Sequence, residues 1–182
     1  RFPAVYGKEL SKQYLKEITH PYVDYTLKYG RSVDCEISTI GAIGCYLSHV
    51  GVWKKLVESD DDMCLVFEDD ISPKIDLGKV NTFLKNVMSK EPEWDMIYIG
   101  YIKMSLGTHD ILKGDYYKVN ELTYCTHSYL VNKKGAQKLL KSAFPMIHQV
   151  DTYMSLMAVR DLNSYRGTKS FVKQSQISTF FQ

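Results

Sequence analysis

Three consecutive carboxylates, Glu68-Asp69-Asp70, follow directly on the apolar run Met63-Cys64-Leu65-Val66-Phe67. An unbroken apolar stretch of this length reads as a strand buried in a parallel-type sheet, and Pro73 closes the segment soon after. Side chains alternate along a strand, so Glu68 and Asp70 share one face and Asp69 takes the other. Two cofacial carboxylates at a strand's end can grip one hard divalent cation. Mg²⁺ and Mn²⁺ prefer such oxygen ligands and are often shared with a substrate phosphate. A solvated acidic turn is the plainer reading of any acidic triplet. Here the charges abut a core strand, where repulsion and desolvation work against them, and a metal site is the expectation.

The elements that must position these groups follow from periodicity. Ile40 to Glu58 reads as a helix with Ile43, Tyr46, Leu47, Val50, Trp53 and Val57 on one side and Ser48, Gly51 and Lys55 on the other. His49 falls in the apolar arc, which favours a satisfied core histidine over a substrate contact. Gly41 and Gly44 let the start of this helix approach another backbone or a phosphate. Leu77 to Met88 forms a second helix; Trp94 to Gly100, Tyr116 to Val119 and Tyr124 to Val131 read as strands. On the last of these, His127 alternates with Cys125 and Tyr129 and reads as packing. Asn132 caps a helix carrying Ala136, Leu139 and Leu140, and Asp151 opens a short helix with Met154, Leu156 and Met157. Phe171-Val172 is expected as a last strand, Tyr14 to Ile18 as a short helix and His20 to Gly30 as a packed loop. Helices alternate with strands, so the class is α/β with some antiparallel strands.

The 182 residues suit a single domain, 1–182, with no repeat and no linker. A hydrophobic share of 45% with 24% charged residues argues against disorder. Basic and acidic residues nearly balance at net +2, which supplies no basic track for nucleic acid. No apolar run reaches the ~20 residues that span a bilayer. The spacing of Cys35, Cys45, Cys64 and Cys125 fits no zinc pattern; read as free thiols, they favour a reducing compartment, hence a cytoplasmic location, with a lumenal one as the alternative had a leading signal been removed.

Gly41-Ala42-Ile43-Gly44-Cys45-Tyr46-Leu47-Ser48-His49, then Trp53, then Leu65-Val66-Phe67-Glu68-Asp69-Asp70, resembles glycosyltransferase family 25, which includes lipooligosaccharide and procollagen galactosyltransferases. Trp94 to Gly100, His127 to Leu140, Val150-Asp151 and Phe2 to Lys8 look like further family segments in the same order. The resemblance implies a GT-A-like nucleotide-sugar-binding sandwich with a mixed, mainly parallel sheet. The family places a strand and loop upstream of Phe2, so a fold lacking its first strand is expected.

It also implies the chemistry: an inverting transfer of galactose or glucose from a UDP-sugar to a hydroxyl of a glycan or hydroxylysine. Glu68 and Asp70 are then the expected holders of Mn²⁺ (or Mg²⁺) on the diphosphate. Asp69 and Ser48 are expected toward the donor, and Asp151 as general base, with a helix N-cap as its structural alternative. Asp95 is a weaker candidate base, His148 a candidate third metal ligand, and Gln174-Ser175 a candidate closure of the acceptor side. Two other classes stay open: a glycan- or nucleotide-binding module of the same fold with catalysis lost, and a metal-dependent phosphohydrolase using the same carboxylates.

Overall fold

A computed structural model describes residues 1–72, 74–103 and 110–175. A 3-10 turn, Gly7–Glu9, precedes α1 (Lys12–Ile18) and α2 (Pro21–Tyr29). The stretch expected as a loop is therefore helical, and its ends explain why. The His20 ring accepts the N–H of Tyr22, Pro21 sits where a missing N–H costs nothing, and Gly30 leaves the helix at φ 87°. The long helix α3 (Ile40–Glu58) then leads to β1 (Met63–Phe67), α4 (Leu77–Lys90) and β2 (Met96–Lys103). Short strands β3 (Ile111–Leu112) and β4 (Tyr116–Lys118) precede the long β5 (Thr123–Asn132). The described chain continues through α5 (Lys133–Lys141), α6 (Val150–Arg160) and β6 (Ser164–Gly167). None of the described helices is long and apolar enough to cross a membrane.

The six strands form one open sheet in the order β1-β5-β2-β6-β4-β3. The α/β class and the mixed sheet match expectation, but the ladders are mostly antiparallel. Only β2 and β6 pair in parallel; β5 runs opposite to both β1 and β2 between them. The physical reason lies in burial. β2 and β5 are covered on both faces, and a strand buried on both faces reads as a continuous apolar run whichever way its neighbours point. Phe171 and Val172 form no strand. Both N–H groups donate to Ile99 O, and the late strand is β6, whose polar sequence Ser164-Tyr165-Arg166-Gly167 gave no apolar signal.

Alternation along the strands divides the core in two. Met96 and Tyr98 of β2 with Tyr129 and Val131 of β5 join α3, α5 and α6 on one face. Ile97, Ile99 and Leu130 join Val80, Phe83, Leu84 and Val87 of α4 on the other. Each such side chain contributes roughly 1.5–3 kcal/mol when fully buried, so α4 is held to the sheet mainly by its four. Two glycines set the approach of elements to the site. A Cβ at Gly44 would lie 2.6 Å from Val5 O, so the amino-terminal segment rests on α3, and the close approach anticipated there is to backbone. A Cβ at Gly100 would lie 2.1 Å from His127 Nε2, so only glycine lets that ring fold onto β2.

Glu36 ties α2 to the segment behind it. It is buried and accepts the Tyr22 hydroxyl at 2.6 Å and the Ser32 N–H at 2.7 Å. The Tyr22 hydroxyl first, then the Ser32 N–H, hold its carboxyl below the ordinary value despite burial. A depressed folded pKa gives stability that is complete above the unfolded value and lost as pH falls through the folded one. Glu36→Gln should therefore lower Tm at pH 7, and the gap to the parent should close below about pH 4.5. Thermal melts across that range check it; a gap unchanged down to pH 3 would contradict the assignment.

Candidate active site

A cleft of ≈ 680 Å³ opens where β1 ends. Its walls are Cys45, Ser48 and His49 of α3, the acidic run Glu68-Asp69-Asp70, and the segment from Arg1 to Val5. Four of the five residues singled out from sequence therefore share one cavity. The strand itself stops at Phe67, and Asp69 and Asp70 lie in a turn, so the carboxylates are presented by a loop rather than by strand alternation.

Glu68 is the best-held of them. Trp53 and His49, one turn apart on α3, reach across to Tyr129 of β5. The Trp53 indole, which can only donate, gives its N–H to the Tyr129 hydroxyl at 3.0 Å. The phenolic hydrogen then serves His49 Nδ1 at 2.9 Å, which leaves the hydrogen on Nε2 to be donated to Glu68 Oε1 at 3.0 Å. This tautomer is assigned from the network. Thr126 donates to the same oxygen at 2.5 Å, and the Glu68 N–H donates to His127 O at 3.0 Å. Burial pushes the Glu68 carboxyl up, but the bonds from His49 and Thr126 outweigh it and hold it below the ordinary value. The core-histidine reading of His49 thus stands, and the same ring also orients a cleft carboxylate.

Thr126 reaches Glu68 through a bulge. Gly100 faces Ser128 and Ile102 faces Tyr124, so two steps of β2 span four of β5. Cys125, inside the extra length, takes φ 77°, a conformation that L side chains rarely adopt and that costs of order 1–3 kcal/mol.

Asp70 is held differently. Its Oδ2 accepts Gln174 Nε2 at 3.1 Å and its carbonyl accepts the Ser175 N–H at 2.6 Å. Its Oδ1 is buried without a hydrogen-bond partner among the described residues. Burial, then the charge of Glu68, push the Asp70 carboxyl above its ordinary value. A buried anionic oxygen beside a second carboxylate is what a hard cation would relieve, so this oxygen set fits Mn²⁺ or Mg²⁺. Asp69 lines the same cleft and pairs at 2.9 Å with Arg1, both largely exposed and so worth little to stability.

Asp151 is the second residue of α6 and does not cap it. The N-cap is Gln149, and Asp151 Oδ1 accepts the Thr152 N–H at 2.6 Å. Its charge reaches the cleft. Burial first, then the charges of Glu68, Asp151 and Asp70, push the Cys45 thiol up to about 12. For Cys125 burial leads, followed by Asp151 and Glu68, and the thiol rises to about 11. Asp151 itself is not among the residues lining the cleft, although its charge is felt at Cys45 and Cys125. Ser48 does not present a free hydroxyl: it accepts the Val5 N–H at 2.9 Å and donates to Gly44 O at 2.8 Å, anchoring the amino-terminal segment.

The weaker candidates separate cleanly. Asp95 is fully buried, paired with Lys138 at 2.6 Å and accepting Asn163 N–H, a structural group. His148 forms an isolated backbone β-bridge with Glu36, its charge helps hold that carboxyl down, and it does not line the cleft that holds Glu68. His127 bonds Val172 O at 3.0 Å. Gln174, expected to close the acceptor side, donates its Nε2 hydrogen to Asp70. Thr126 and Tyr129 were missed as partners of the site; only Gly100 hinted that β5 departs from regular pairing there.

The family model described as glycosyltransferase family 25 (LPS biosynthesis protein) matches residues 1–154. The chain is 32% identical over 216 residues to procollagen galactosyltransferase 1-A of Xenopus laevis, covering 98% of this chain and 33% of that protein. It is 29% identical over 180 residues to a glycosyltransferase 25 family member of Drosophila melanogaster, covering 97% and 29%. It is 28% identical over 164 residues to procollagen galactosyltransferase 2 of Homo sapiens, covering 85% and 25%. The chain thus spans about a quarter to a third of the length of these relatives.

Tyr129→Phe removes both the acceptor of Trp53 and the donor to His49. Leaving such buried groups unpaired should cost about 1–3 kcal/mol in urea unfolding. A loss within about 0.5 kcal/mol, the scale of a surface change, would mean that the chain of bonds is not formed.

Proposed function

Because the chain belongs to glycosyltransferase family 25, we propose that it transfers a hexose from a UDP-sugar to a hydroxyl with inversion, using a divalent cation. The names of its relatives favour galactose over glucose, and a procollagen-type protein over a glycan as acceptor. What supports the cation and the donor side is that Glu68 and Asp70 line one cleft, the charge of Glu68 is felt at Asp70, and Asp70 Oδ1 is buried without a hydrogen-bond partner among the described residues. Glu68 and Asp70 are the residues that would hold Mn²⁺ or Mg²⁺, which when bound neutralises the departing diphosphate.

The chain's own groups divide the remaining work. His49 and Thr126 keep Glu68 ionised and aimed, so that little reorganisation is needed when the donor arrives. Gln174 fixes one Asp70 oxygen and leaves the other free for the cation. Asp151, whose charge is felt in the same space, takes the proton from the acceptor hydroxyl as general base. Arg1 and Asp69 line the outer rim, where an exposed ion pair is cheap to open.

The test is release of UDP from UDP-galactose with Mn²⁺ and a hydroxylysine-bearing peptide. Asp70→Asn should melt like the parent yet lose the metal-dependent release. Asp151→Asn should lower kcat by about 10²–10⁴-fold, the usual worth of a positioned base, with little change in donor KM. Metal-dependent turnover surviving in Asp70→Asn would remove that residue from the site. A defect in Asp151→Asn confined to thermal stability would assign Asp151 to α6 alone.

A further inference from the structure

The cleft also holds a chemically different donor set. Cys45 and His49 stand four residues apart on α3, so their side chains leave the same face of the helix. The Cys45 sulfur, a His49 ring nitrogen and a Glu68 oxygen lie within 4.8 Å of one another. Among the described residues this is the one such grouping. All three residues line the cleft, so an ion has a path to them. Sulfur, imidazole and a single carboxylate suit a borderline-soft ion; Mn²⁺ and Mg²⁺ prefer all-oxygen surroundings.

We propose that Cys45, His49 and Glu68 form a Zn²⁺-binding site whose fourth position opens to the cleft, distinct from the oxygen-only pair of Glu68 and Asp70 and sharing Glu68 with it.

The ion requires two changes in the hydrogen-bond network: the His49 tautomer shifts, and the Tyr129 hydroxyl hydrogen leaves Nδ1. His49 moves its hydrogen from Nε2 to Nδ1, freeing for the metal the nitrogen that now faces Glu68. The Nδ1–H then donates to the Tyr129 oxygen, which already stands at 2.9 Å and holds the ring in orientation, as metal-bound histidines usually require. Glu68 exchanges the His49 N–H for the metal and keeps Thr126. One proton, from the Cys45 thiol, goes to solvent. If transfer proceeds as proposed above, Zn²⁺ here also withdraws Glu68 from Asp70 and opposes it; that consequence alone rests on the transferase reading, and the binding does not.

The test reads coordination rather than turnover. Chelator-treated full chain is titrated with Co²⁺ as a spectroscopic stand-in. One equivalent should produce a thiolate-to-cobalt charge-transfer band, and one equivalent of Zn²⁺ should abolish it. Cys45→Ser, a change on a cleft-exposed residue, should remove the band. It should also weaken Zn²⁺ binding, measured against a chromophoric chelator, by at least about 100-fold, the upper end of the cost of losing even an outer partner of a ligand. Cys64→Ser, outside this cleft, and Asp70→Asn should both keep the band. Absence of the band in the parent, or its survival in Cys45→Ser, overturns the site. Its loss in Asp70→Asn overturns the claim that the site is distinct from the oxygen pair.

Discussion

Glu68 is held in the wall of the cleft by His49 and Thr126, and the surroundings of the cleft are arranged to maintain that hold. The line of hydrogen bonds from Trp53 through Tyr129 and His49 to Glu68 joins the long helix α3 to β5 and to the end of β1. Trp53, His49 and Tyr129 are buried, so a polar line of this kind stabilises only when each member is satisfied; one missing hydroxyl strands two others. The favourable reading of this network comes from completeness. Trp53 can only donate and the ionised Glu68 can only accept, and those two ends together set the proton directions between them.

The two carboxylates are driven apart in character by their settings. Glu68 receives bonds that favour its charge and sits below its ordinary pKa; Asp70, partly buried within reach of that charge, sits above its own. Neither environment is costless. The bulge that brings Thr126 to Glu68 places Cys125 in left-handed backbone, and Gly100 gives up its side chain so that His127 can fold over β2. Strain and like-charge repulsion gathered at one end of a well-packed sheet mark a place where function rather than stability set the residues.

Much of this was legible in the sequence because it depends on local pattern. The apolar run of β1 followed by acids, the arc of α3, the cap at Asn132 and the acid opening α6 are each read within a few neighbouring positions. Strand direction was not, because burial on both faces erases the difference between parallel and antiparallel pairing. Helix α2 was mistaken for a loop because its tyrosines fall on an exposed face, and the signals that make it, His20, Pro21 and Gly30, lie at its ends. Within the site, Glu68, Asp69 and Asp70 were legible from position. Thr126 and Tyr129 were not, since they meet their partners across separations of 58 and 80 residues and no local periodicity encodes such contacts; Gln174 was singled out, but not its bond to Asp70, 104 residues away. Ser48 was placed in the right cleft with the wrong duty, because a hydroxyl's partner cannot be read from its side of a helix.

The central claim is that Glu68 and Asp70 act together on one hard cation carrying a diphosphate. Loss of the free Mn²⁺ paramagnetic resonance signal, titrated with protein in the presence of UDP, measures that most directly. The account predicts one Mn²⁺ bound per chain, more tightly with UDP than without, and no such binding in Asp70→Asn. Equal Mn²⁺ binding by parent and Asp70→Asn, insensitive to UDP, would contradict it.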